Sequence, residues 1–251
     1  MVEKKAYGTV LIKAKYILDY MMDSNAGMSL KDISNGINVS KPTVLKILET
    51  MCNQNLIRKD VYDKKYYFGS DLIGYGQRAM NDFDISRQVL PFLSKLRDET
   101  RETVHLGIEQ DDKVVFLQKL ESPQSVNLKS KIGGKLNLYC SAMGKALLAT
   151  KTDDELDQYF SQVTLKQITP YTVTSIAELE KQISLTKMRG YSLDDKENQD
   201  EVVCVGASIK KRNKVYGAFS VSTPEYRIND QKITEIITAV INTKELIEET
   251  L

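Results

Sequence analysis

The chain has 251 residues, 27% of them charged and 41% hydrophobic, with a formal net charge of +1 at pH 7. That length is enough for two domains, and no run of about 18 apolar residues occurs, so no membrane span is expected. The charged segment after Met1 is unlike a secretory signal, and Cys52, Cys140 and Cys204 form an odd set without metal-ligand spacing. The expectation is therefore a soluble cytoplasmic protein with neither a disulfide framework nor a metal. Charge is uneven, since the first 70 residues hold 11 Lys and Arg against 7 Asp and Glu. A surplus of cations there favours nucleic acid near the amino terminus.

Residues 9–22 place Val10, Leu11, Ala14, Ile17, Leu18 and Met21 at helical spacing, predicting a core helix that also offers a dimer surface. Residues 29–51 read as two short helices joined by a tight turn. Ser29 and Asp32 have the spacing of a capping box, while Leu30, Ile33 and Ile37 keep one face apolar. Gly36 is expected to end this helix in the left-handed conformation. Ser40 is expected to cap the second helix, with Pro42 in its first turn. Leu45, Leu48 and Met51 predict its buried stripe, leaving Lys41, Thr43, Lys46 and Thr50 to point elsewhere. Any small helical hairpin has this periodicity, but exposed Lys and Thr at a helix N-terminus also suit a recognition helix in the major groove.

The next segment of the chain favours the second reading. Residues 55–58 and 65–68 read as short strands around the polar turn 60–64. A helical pair followed by a basic hairpin is the order of a winged helix. Lys59, Lys64 and Lys65 at the wing tip suit phosphates, and Tyr62 and Tyr66 would pack or touch sugar. The expected DNA contacts are Ser40, Lys41, Thr43 and Lys46 from the helix, with Lys64, Lys65 and Tyr66 from the wing.

Residues 71–81 predict a helix whose Gly74 and Gly76 suit a connector. The chain thus divides into three parts: residues 1–70 as the DNA-binding domain, 71–84 as a linker helix, and 85–251 as a second domain. Within the last, a helix is expected from Ser86 to about Thr100. Residues 103–110 and 113–120 form a hairpin around Asp111 and Asp112, with a further short strand over 126–130. A helix over 142–150 is followed by a capping box at Thr152 and Glu155. Ser175 and Glu178 would cap a helix over 176–189, closed by Gly190. Residues 202–210 and 215–221 make a second hairpin around 211–214, and Asn229 or Asp230 starts a C-terminal helix. Hairpins with segregated helices define an α+β domain with an antiparallel sheet.

Several stretches resemble the IclR family of bacterial transcription regulators. Residues 133–149, GGKLNLYCSAMGKALLA, are similar to the family's GxxLPLHxTAxGKAxLA signature, and residues 189–198, RGYSLDDKEN, to its RGYAxDDEE segment. Residues 204–207 and 219–224 resemble the family's next two strands, and the stretch from Glu102 to Ser122 resembles the opening hairpin. The chain departs from the signature at Asn137 and Tyr139, where the family has Pro and His, and at Thr223 in place of Gly. The resemblance implies a winged helix–turn–helix, a linker helix and a GAF-like or PAS-like domain that binds a small organic acid. It also implies a homodimer or tetramer on double-stranded DNA with a pseudo-palindromic operator.

The loop 141–144 enters a helix, whose N–H groups at Ala142 and Met143 suit a carboxylate. It is not a phosphate-binding P-loop, because Tyr139 and Ala146 stand where that pattern needs Gly and Ser or Thr. Asp194, Cys204, Ser220 and Ser222 occupy positions that resemble the family's remaining effector contacts. Ser220 and Ser222 alternate along one strand and so share a side. His105 is the chain's single histidine, and no Gly-x-Ser-x-Gly elbow occurs, so an enzyme is not expected, nor any cofactor. The alternative to an effector-controlled regulator is a DNA-binding protein with a degenerate pocket, regulated by protein partners.

Overall fold

The computed structural model describes residues 8–24, 26–124, 128 and 130–251. The chain divides into two compact units, Met1–Asp82 and Phe83–Leu251.

In the first unit, α1 (Thr9–Met22), α2 (Leu30–Gly36) and α3 (Lys41–Asn53) precede a two-stranded ribbon of β1 (Ile57–Lys59) and β2 (Tyr66–Phe68), and α4 (Asp71–Asp82) ends it. Ile17, Met21, Ile33, Val44, Ile47, Leu48, Met51, Ile57 and Tyr66 form its core. The capping box at the start of α2 is present, with the Ser29 side chain accepting from the Asp32 N–H. Three details differ from expectation. The buried stripe of α3 is Val44, Ile47, Leu48 and Met51, with Leu45 only half-buried, because that spacing covers a full helical face. Gly36 is helical rather than left-handed, and Asn38 carries the positive φ of 52° instead. What Gly36 permits is close approach: a Cβ there would lie 2.0 Å from Cζ of Tyr20. Ser40 stands at the N-cap of α3 without capping it, its hydroxyl lying 2.9 Å from Thr43 Oγ1.

In the second unit a six-stranded sheet has the order β5-β4-β3-β8-β7-β6, with every neighbouring pair antiparallel. Its strands are β3 (Thr103–Gln110), β4 (Lys113–Leu120), β5 (Lys135–Asn137), β6 (Ser192–Asp195), β7 (Val202–Lys211) and β8 (Lys214–Pro224). One face carries Val104, Leu106, Val205, Ala207, Phe219 and Val221 and packs on α5 (Asp84–Thr100) and α9 (Asp230–Thr250). The other is covered by α6 (Ala142–Leu148), with α7 (Asp153–Gln162) and α8 (Ile176–Arg189) behind it. The capping box of α7 is present, whereas Ser175 makes no side-chain cap on α8. Gly190 closes α8 at a φ of 81°. The strand expected over 126–130 falls mainly outside the described residues, and Leu128 and Ser130 lie in no strand. Strands β5 and β6 go beyond the elements expected from the sequence.

The β3–β4 hairpin pairs Gln110 with Lys113, leaving a two-residue turn in which Asp111 and Asp112 have φ of 52° and 56°. Such turns favour Gly at the second position, where a side chain is otherwise strained. Asp112→Gly is expected to stabilise the domain by up to about 1 kcal/mol, read from the shift in urea midpoint; destabilisation would contradict this.

Candidate functional site

On α3 the outward face consists of Ser40, Lys41 and Lys46, all exposed, with Thr43 half-buried behind them. Burial of Val44, Ile47 and Leu48 on the opposite side fixes that orientation. In the ribbon, the Asp60 carboxylate accepts from the N–H groups of Tyr62 and Asp63, and Asp63 accepts from Lys65 N–H and from the Tyr67 hydroxyl. These bonds hold Lys64 at a φ of 60° at the tip, where it is exposed. Lys65 is half-buried. Tyr66 departs from expectation. It is 3% exposed and its ring belongs to the core, because Met28 and Tyr66 exchange backbone hydrogen bonds of 3.1 and 2.8 Å that pull it inward. Arg58 and Lys59 instead lie outside, over the rings of Tyr67 and Tyr66, and Tyr62 is 95% exposed at the tip.

The second unit holds a polar patch inside its sheet. Register places Asp194, Cys204, Ser222 and Thr103 side by side across four strands, and Ser192, Gly206, Ser220 and His105 in the row two residues away. Strand alternation turns both rows to the face under α6. Gly206 is what lets α6 come down: a Cβ there would lie 2.9 Å from the Ala142 carbonyl carbon and 3.1 Å from the Met143 nitrogen. The Ser192 hydroxyl donates to the Ala142 carbonyl at 2.6 Å. Ser141 caps the helix by accepting from Gly144 N–H, so the N–H groups of Ala142 and Met143 start α6 without an intrahelical acceptor. Of the six residues expected to meet an effector, Asp194, Cys204, Ser220 and Ser222 thus share one face of the sheet, and Ala142 and Met143 begin the helix packed against it.

Electrostatics there follow from burial. Asp194 Oδ1 accepts from the N–H groups of Glu197 and Asn198, yet burial lifts its carboxyl to about 7, with Lys145 opposing and Glu197 assisting. Burial and then the Asp194 charge push the Cys204 thiol up, so it is no nucleophile, and it donates instead to Ser222 Oγ at 3.2 Å. Among the described residues no cluster of His, Cys, Asp and Glu could hold a metal ion, and no helix is long and apolar enough to cross a membrane.

A family model described as bacterial transcriptional regulator IclR C-terminal matches residues 77–248, and one described as the IclR helix-turn-helix domain matches residues 10–61. The chain belongs to the IclR family. It is similar to the HTH-type transcriptional regulator KdgR of Escherichia coli, 29% identical over 211 residues, covering 84% of this chain and 80% of that one. It is also similar to the transcriptional repressor IclR of E. coli, 26% identical over 234 residues, covering 92% and 85%. A solved IclR of Thermotoga maritima is 30% identical with a TM-score of 0.78, covering 98% and 99% of the two chains. An IclR homologue of Microbacterium hydrocarbonoxydans, solved with 4-hydroxybenzoate, shares the fold at a TM-score of 0.81 and 18% identity, covering 96% and 98%. This IclR-family chain is accordingly a transcription regulator with a DNA-binding helix–turn–helix, and its relatives are regulators rather than enzymes.

Two parts of the polar face escape a reading of the sequence. His105 is 2% exposed, with Nε2 2.7 Å from Ser130 Oγ and Nδ1 3.3 Å from Ser222 Oγ. Burial lowers its pKa to about 3, so the ring is neutral and offers one donor and one acceptor. A lone strand histidine carries no mark of this role in its own segment; its shared parity with Thr103 is the available signal. The other is Lys145, 1% exposed, whose Nζ reaches Glu197 Oε1 at 2.5 Å and Gln182 Oε1 at 2.7 Å. Through this pair, α6 is tied to the segment that carries Asp194.

Proposed function

We propose that this regulator binds operator DNA through α3 and the ribbon, and that a small carboxylate on the polar sheet face controls that binding. The observation that supports it best is the sheet interior itself. A face that would otherwise be apolar instead presents Asp194, Cys204, Ser220, Ser222 and His105 beneath a helix N-terminus. Ser40, Lys41, Thr43 and Lys46 would approach base edges, and Lys64 with Lys65 would hold phosphate. A homodimer would present two such readers to a pseudo-palindromic site with half-sites about one turn apart; Val10 and Leu11 on α1 and Ile73 and Tyr75 on α4 are exposed apolar candidates for pairing. Ligand would act by differing in affinity for two quaternary states of the dimer or a tetramer.

Gel shifts on genomic fragments test the first half. Lys46→Ala is expected to cost about 1–3 kcal/mol and relax sequence preference, whereas Lys64→Ala weakens all sequences alike and flattens the salt slope by about one. Equal loss on every sequence with Lys46→Ala would contradict base contact. Thermal-shift screening of organic acids tests the second half. Stabilisation by a carboxylate in the native chain, lost in Ser222→Ala, is expected; a panel without any shift would favour regulation by protein partners.

A further inference from the structure

A cavity of about 460 Å³ lies away from the polar face, between the start of β4, the end of β5, α7 and the 163–168 loop. Tyr159 of α7 lines it and is 6% exposed, and its hydroxyl has no hydrogen-bond partner among the described residues. Burial pushes that phenol well above its ordinary range, with the Asp112 charge adding to the shift, so at neutral pH it is a protonated donor lacking an acceptor. A buried donor in this state is destabilising until something accepts from it.

Two neighbouring polar side chains have partners of their own. Tyr139 is already engaged, donating to the Lys166 carbonyl at 2.9 Å and accepting from the Lys166 N–H at 3.2 Å. Asn137 accepts from the Lys113 ammonium. Charge at the cavity is positive, since Lys113 and Lys166 outnumber Asp112. The two phenol rings give it flat apolar walls. The volume is that of a small-molecule site, with a lining that is mostly polar or charged.

We propose that this cavity is a second ligand site, distinct from the polar sheet face, for a small carboxylate with a flat apolar body. Its carboxylate accepts from the Tyr159 hydroxyl, and its charge faces Lys113 and Lys166. Asn137 and Tyr139 are also the two positions at which this loop departs from the signature it resembles, so the cavity belongs to this chain's own sequence. Occupancy would reach the first site through one short path, because the Asn137 carbonyl accepts from the Ser141 hydroxyl that caps α6.

The test uses the full chain with ¹³Cζ-labelled tyrosine, the Tyr159 resonance being assigned from Tyr159→Phe. Benzoate is the probe and benzamide its uncharged counterpart. Benzoate is expected to move the Tyr159 resonance saturably, both in the native chain and in Ser222→Ala, which alters only the polar face. Lys166→Glu, at an exposed position, should weaken this binding about tenfold, and benzamide should bind no better than that variant binds benzoate. A Tyr159 resonance unmoved by benzoate, moved equally by benzamide, or moved only while Ser222 is intact would each overturn the proposal. Failure here leaves the polar-face reading untouched, since that reading is scored by Ser222→Ala in the thermal-shift screen.

Discussion

Lys145→Ala is expected to destabilise the sheet domain by about 3–5 kcal/mol, the loss found when one member of a buried ion pair is removed. Lys145 and Glu197 are 1% and 5% exposed and meet at 2.5 Å. Without the ammonium, the Glu197 carboxylate must either stay charged out of water or take up a proton. Burial already raises the Glu197 carboxyl, with Lys145 as the main force pulling it back. The pair is not a well-satisfied one, since Glu197 Oε2 has no hydrogen-bond partner among the described residues. Replacing both members by apolar groups, as in Lys145→Met with Glu197→Leu, should therefore recover most of the loss. Urea unfolding of the two variants checks this. A loss under about 1 kcal/mol in Lys145→Ala would mean that the pair carries no buried charge.

The same pair is also a mechanical element. Thr169 and Thr172 hold the segment after β6 through bonds of 2.6 Å to the Lys196 and Glu197 carbonyls, and Asp194 accepts from Glu197 N–H. Lys145 adds α6 to that knot. The helix start at Ala142 and the carboxyl of Asp194 are thereby referenced to one another, which a ligand touching both would require.

How far the sequence carries this picture depends on the range of the forces involved. The β3–β4 hairpin and α1 are legible to the residue, because alternation and helical spacing are local. The capping boxes at Ser29 and Thr152 are legible for the same reason. Strand β6 is not, since Ser-Leu-Asp-Asp lacks the branched and aromatic residues that mark a strand; Ser192 and Asp194 are buried towards the site, and Asp195 is exposed. On α3, apolar residues at 44, 45, 47, 48 and 51 permit two stripes, and only packing against α1, α2 and β1 selects the one through Val44 and Ile47. Tyr66 has the sequence context of a wing-surface residue, but the bridge to Met28, 38 positions earlier, turns it inward. His105 is the sharpest case. Nothing within ten residues on either side announces that Ser130 and Ser222 will sit against its two nitrogens.

Asp194 makes the stability of the sheet domain fall as pH rises from about 4 to about 7. The unfolded carboxyl titrates near 3.8 and the buried one at about 7. In that window the folded chain keeps a proton that the unfolded chain has released, so the slope is negative, at most about 1.4 kcal/mol per pH unit. Above 7 both states are ionised and this contribution to the slope vanishes. The raised Glu197 carboxyl adds a slope of the same sign, so the quantity to measure is the difference between the native chain and Asp194→Asn, which should be steepest between pH 5 and 6. The same proton would govern ligand choice. Both backbone bonds fall on Oδ1, which leaves Oδ2 to carry it. Below pH 7 that O–H can donate to a carboxylate on the polar face; above it, two negative charges meet in a buried site. Affinity for a carboxylate is thus expected to drop up to about tenfold per pH unit above 7, while Asp194→Asn binds with little pH dependence. Calorimetric titration at pH 6 and pH 8 reads both, and an affinity that is flat or rises with pH in the native chain would exclude Asp194 as the proton-bearing contact.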